Sequence, residues 1–141
     1  MSNQRDSQND RENIITIINS CEKILSYTDG MDWDNFIEDS CVVEACALNC
    51  VVLGERAHKL TREFKQRYPG VPWIEMENFR HRIAHTYGTL TYDISILWQT
   101  ISSDIPDTLN YCRYVLKDYD ESNADSTLRS FNFKHIIGKN R

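Results

Sequence analysis

NFIEDSCVVEACALNCVVLGERAHKLTREF, Asn35 to Phe64, decides the fold. Phe36, Ser40, Val43, Ala47, Cys50, Gly54 and Ala57 fall on one seam in steps of three and four, with Phe64 two steps further on, the repeat of a helix face. Most of these side chains are small, so a neighbouring helix can come close. Gly54 costs about 1 kcal/mol relative to alanine inside a helix, and close approach at that point is the natural compensation. The spacing predicts one long helix, stopped by Tyr68-Pro69-Gly70 and Pro72.

The same period extends to both sides. Ile14, Ile17, Ile18, Cys21, Ile24 and Leu25 predict an amphipathic helix from Arg11 to Tyr27, closed by Asp29-Gly30, with Asp32 or Asp34 capping the next helix. A third helix is expected from Pro72-Trp73, with Met76, Phe79, Ile83 and Ala84 inward and Gly88 as its stop. A short helix over 92–101 and a last one after Ser103-Asp104-Ile105-Pro106, through Leu109, Cys112, Val115 and Leu116, complete the pattern. Strand-like alternation is scarce. The expected fold is all-α: an antiparallel bundle of about four to five helices over residues 13–119. Residues 1–12 read as a flexible leader, and 120–141 as a polar, slightly basic tail in which Phe131, Phe133, Ile136 and Ile137 offer docking points.

With 16 basic and 21 acidic residues the net charge is −5, which argues against broad coating of nucleic acid and leaves room for a local basic cleft. No apolar run reaches the roughly 18 residues of a membrane span. The first residues lack the apolar segment of a secretory signal, so a cytoplasmic protein is expected. Five cysteines, an odd number without a CxxC pair, read as small buried thiols between helices and not as disulfides. Cys46 and Cys50 share a helix face, but a structural zinc site needs four converging ligands. Neither a metal nor a cofactor is expected.

FRHRIAHTYG, Phe79 to Gly88, is the chemically loaded stretch. On an ideal helix Arg80 and His85 stand about 140° apart in rotation and roughly 7.5 Å along the axis. They share no face, so convergence requires a broken helix end or a second subunit. A guanidinium grips phosphate with a permanently charged fork. An imidazole titrates near neutrality and can take the proton of a ribose 2′-hydroxyl. Together they suffice for metal-free RNA scission to a 2′,3′-cyclic phosphate and a 5′-hydroxyl. By itself this spacing is better explained by a solvated arginine and a helix-end histidine. His81 is read as a surface residue or an orienting neighbour, while His58 and His135 have no evident partner.

At these residues the sequence resembles the HEPN superfamily, in particular the HepT-like ribonuclease toxins. Their mark is arginine, four residues, histidine, one residue, tyrosine, here Arg80, His85 and Tyr87. Gly54-Glu55 with Ala57 and Leu60, PGVPW at 69–73, Asp93, Trp98, Asp104-Ile105-Pro106 and Leu109 resemble the family's other motifs, in order, from about Ile14 to Leu116. His81 stands where the family most often has asparagine, and Asn78-Phe79 where it has Gly-Met. The resemblance implies a helical homodimer with its cleft at the two-fold axis, and an endoribonuclease with tRNA among its targets. It also implies a nucleotidyltransferase antitoxin that transfers AMP from ATP onto Tyr87. Arg80 would bind phosphate and His85 act as acid and base, with Glu55, Asp39 and His81 as groups around the cleft. The competing expectation is an inactive helical dimer that serves as binding or regulatory subunit of a nucleotidyltransferase.

Overall fold

The computed structural model describes the backbone of residues 3–87 and 94–139, and the side chains of residues 9–83 and 94–124. Every regular element among them is helical: α1 (Asn3–Tyr27), α2 (Trp33–Glu38), α3 (Ser40–Lys59), α4 (Arg62–Arg67), α5 (Trp73–Tyr87), α6 (Ile94–Gln99), a π-helical turn (Thr100–Asp104) and α7 (Ile105–Lys139). The all-α bundle is as the periodicity predicts. α3 is its central helix, packed between α1 and α5, while α1 also lies against α7.

α1 buries the expected stripe, with Ile14, Ile17, Cys21 and Ile24 fully enclosed. Its helix begins within the segment read as a leader. Asp10 is buried, and its carboxylate accepts hydrogen bonds from the Thr61 amide (2.8 Å) and hydroxyl (2.6 Å). Arg11 donates to both oxygens of Asp120 on α7, at 2.9 and 3.2 Å. Gly30 closes the turn after α1 with φ +74°, a conformation that glycine adopts without a Cβ penalty. Asp32, not Asp34, caps the next helix by accepting from the Asn35 amide at 2.8 Å.

The long helix predicted after Asp34 is cut twice. Asp39 turns its carboxylate onto the Val42 amide (3.1 Å) and starts α3 afresh. Leu60 is extended, and Thr61 caps α4 by accepting from the Phe64 amide at 3.2 Å. Capping chemistry outcompetes the unbroken period because each cap satisfies amides that a helix start would otherwise leave unpaired. The cuts let Phe36 turn inward against Trp98, ring centroids 4.7 Å apart. They likewise place Phe64 among Tyr68, Trp73 and Tyr119. The last helix extends past Tyr119, where the helical domain is expected to end, as α7 continues to Lys139 over most of the segment read as a tail.

Pro106 sits one residue into α7, directly after the π turn. Proline has no N–H to give to the carbonyl four residues earlier, and its ring crowds that carbonyl. A widened turn at 100–104 is the local adjustment that keeps the run from α6 into α7 helical.

Four of the five cysteines are buried, as expected, but Cys41 is exposed in the first turn of α3. Burial pushes the Cys46, Cys50 and Cys112 thiols from 9.0 up to about 12, and raises Cys21 as well. Burial and the bond to Asp118 raise the Tyr68 phenol in the same direction. In the unfolded chain these thiols ionise near their usual value, so the unfolded state sheds protons first as pH rises. Stability from the buried thiols is therefore fully present below pH 9.0 and is lost above it, toward 12. The urea midpoint should fall between pH 8 and pH 10, less steeply in Cys50→Ala; an equal slope in that variant would contradict the assignment.

Candidate active site

The site is built where α5 crosses α3. The two helices run in opposite directions, with Gly54 of α3 opposite Arg80 and Met76 of α5, and His58 beside Glu77. A Cβ at Gly54 would lie 2.7 Å from the Arg80 backbone nitrogen and 2.9 Å from the Arg80 Cβ. The missing side chain is what allows this crossing. The adjacent Glu55 then stands beside the guanidinium, accepting from Arg80 Nη1 at 3.0 Å. Arg80 is 21 % exposed and Glu55 47 %, so the pair lies at the mouth of the crossing. Arg80 Nε is buried and has no hydrogen-bond partner among the described residues. A desolvated donor of this kind is costly, on the order of 1–3 kcal/mol.

α5 remains helical through Tyr87, so the motif is not interrupted by a helix end before that residue. The positions of Arg80 and His85 thus keep the roughly 140° offset of an α-helix. The side chains of His85 and Tyr87, like that of His135, lie outside the described residues. His81 is exposed on α5.

The other predicted neighbours fall elsewhere. Asp39 spends its carboxylate on the α3 cap. His58 does have a partner: its Nδ1 is 3.9 Å from Glu77, which also pairs with Lys65. One group was not anticipated. Arg82, two residues past Arg80, reaches Asp104 (3.6 Å) and Thr100 (3.4 Å) on the π turn, with its guanidinium 5.6 Å from the Phe79 ring centroid. The pattern Asp-Ile-Pro marked the turn, but nothing in the spacing placed it under Arg82. Among the described residues no three histidine, cysteine or acidic side chains gather as a metal site. No helix among them is long and apolar enough to cross a membrane.

Residues 17–115 match the family model described as ribonuclease HepT-like. The chain belongs to the HepT-like ribonuclease family. It resembles a protein of Caldanaerobacter subterraneus subsp. tengcongensis named a putative RNase, with 27 % identity over 72 % of this chain and 88 % of that one. A Methanocaldococcus jannaschii protein, also named a putative RNase, is 26 % identical over 78 % of this chain and 89 % of its own. A Thermococcus cleftensis protein named probable ribonuclease HepT is 29 % identical over 64 % of this chain and 80 % of its own. No solved structure matches the chain. Membership of the HepT-like family carries the enzyme class with it, an endoribonuclease. The crossing at Gly54, with Glu55 on Arg80, is how this HepT-like chain holds the arginine of its motif.

Proposed function

We propose that this chain is a metal-independent endoribonuclease toxin whose cleft forms between two copies, with tRNA as its substrate class. The supporting observation is the α3–α5 crossing, which holds Arg80 at the surface by one carboxylate and leaves its Nε unsatisfied. A guanidinium so held is fixed in orientation through one nitrogen, as a phosphate-binding fork should be. α5 stays helical past His85, so a frayed end does not bring the two positions together. A second copy presenting the same motif is the remaining route.

In that cleft His85 takes the 2′-hydroxyl proton, and the 2′-oxygen attacks the adjacent phosphorus. Arg80 stabilises the charge gathering on the phosphoryl oxygens. The bond from phosphorus to the 5′-oxygen breaks, and that oxygen takes up a proton. The products are a 2′,3′-cyclic phosphate and a 5′-hydroxyl. Control by a cognate nucleotidyltransferase uses the same geometry. The Tyr87 oxygen attacks the α-phosphorus of ATP, pyrophosphate leaves, and the resulting AMP places an anion two residues from His85, where it repels the RNA backbone.

The test is purified chain with total tRNA in EDTA, read by end-group analysis. Cyclic-phosphate ends are expected, and their loss after incubation with the partner transferase and ATP, together with a mass gain of one AMP on Tyr87. Absence of cyclic ends from a folded, unmodified protein would overturn the catalytic reading and leave the binding-subunit alternative.

A further inference from the structure

We propose that the Arg82–Asp104 ion pair is a positioning element for this cleavage: it tethers the half of α5 that carries the motif to the π turn and sets how α5 is turned on the bundle, and so where Arg80 and His85 face. The inference rests on the function proposed above. It adds a role for residues outside the arginine–histidine–tyrosine motif.

α5 takes its close backbone packing from α3. Toward the C-terminal helix it is separated by a cleft of about 140 Å³, lined by Glu75, Met76 and Phe79 on one side and Asp104, Thr108 and Tyr111 on the other. On that side the helix is held across the gap by side chains. Beside the cleft Arg82 does this, through Asp104 in its wall. It is three residues past Phe79 and three before His85, and it spans from α5 to both Thr100 and Asp104. Thr100 is buried, and its hydroxyl already donates to the Ile96 carbonyl at 2.9 Å, so its oxygen is fixed before Arg82 reaches it. The Phe79 ring, itself in the core, faces the same guanidinium.

Arg80 and Arg82 are therefore tied to different elements. Arg80 is tied to α3 through Glu55, and Arg82 to the π turn. The buried side chains of Met76, Phe79 and Ile83 fix the coarse setting of α5, and the two ion pairs add restraints on its rotation at the surface. Rotation is the coordinate that matters, because cleavage needs groups on different faces of α5 to meet one linkage. Both partners of the outer pair are 41–45 % exposed, so the pair adds little to global stability. That makes its positioning role separable from support of the fold.

The experiment uses the full chain and two variants, Asp104→Asn and the exchange Arg82→Asp with Asp104→Arg. Asp104→Asn should lower kcat for tRNA cleavage by about tenfold or more, since a displacement near 1 Å at a reacting group can cost about a hundredfold. KM and the thermal midpoint should stay near wild type, and amide exchange over residues 83–87 should accelerate. The exchanged pair should restore both rate and protection. Wild-type kcat with wild-type exchange in Asp104→Asn would overturn the proposal. So would a tighter KM with unchanged kcat, which would make Arg82 a phosphate ligand released by the loss of its carboxylate. If the wild type does not cleave RNA, the function falls, and the exchange measurement still decides whether the tether holds α5.

Discussion

Replacing His85 with alanine should reduce RNA cleavage by about 10²- to 10⁴-fold, the range that a positioned acid–base group contributes. The far-UV CD and the assembly state should not change. The helix carrying it draws its packing from Met76, Phe79 and Ile83, which are buried and lie before it. Alanine is also the best helix former, so the last turn of α5 has no reason to unwind. The expected signature is a fall in kcat with little change in KM, because phosphate contact through Arg80 is retained. Adding imidazole should recover part of the rate. Cleavage at the wild-type rate in this variant would remove His85 from the mechanism and with it the proposed chemistry.

Gly54→Ala should damage fold and activity together. The added methyl would meet the Arg80 nitrogen at 2.7 Å, the Arg80 Cβ at 2.9 Å and the Met76 carbonyl at 3.1 Å. Two of those three atoms are backbone, so no side-chain rotation relieves the contact, and α5 must move off α3. Overpacking of this kind costs about 1–3 kcal/mol. The gain in helix propensity on replacing glycine, about 1 kcal/mol, offsets only part of it. The shift falls on Arg80, the residue proposed to bind phosphate. Cleavage should therefore drop by about tenfold to a hundredfold, beyond what the loss of folded protein explains. A more stable and fully active Gly54→Ala would show that the crossing has slack.

The helices were legible where burial repeats at helical spacing. The isoleucines of α1 and the small residues of α3 could be read directly, and so could the need for close approach at Gly54. Spacing alone does not place Glu55 beside the motif, and the structure sets it on Arg80. The breaks around α3 were not legible. Asp39 falls within an unbroken three-and-four repeat and Thr61 at a position the seam skips between Ala57 and Phe64, and their side-chain bonds to the Val42 and Phe64 amides reveal them as caps. Thr61 depends further on Asp10, 51 residues away in the chain. Arg82 was missed for the same reason, since its partners lie on an element whose path is set by Pro106 and the π turn. Interactions written in local spacing can be read from one strand of letters; those that depend on how two helices lie cannot.

The grip of Asp10 on Thr61 has a practical side. A clone trimmed to begin near Asn13, which the composition of the first dozen codons would invite, would discard the carboxylate that seats the α3–α4 corner and the guanidinium that ties α1 to α7. A proteolytic cut that removes Asp10 and Arg11 should be read as an injury to the bundle.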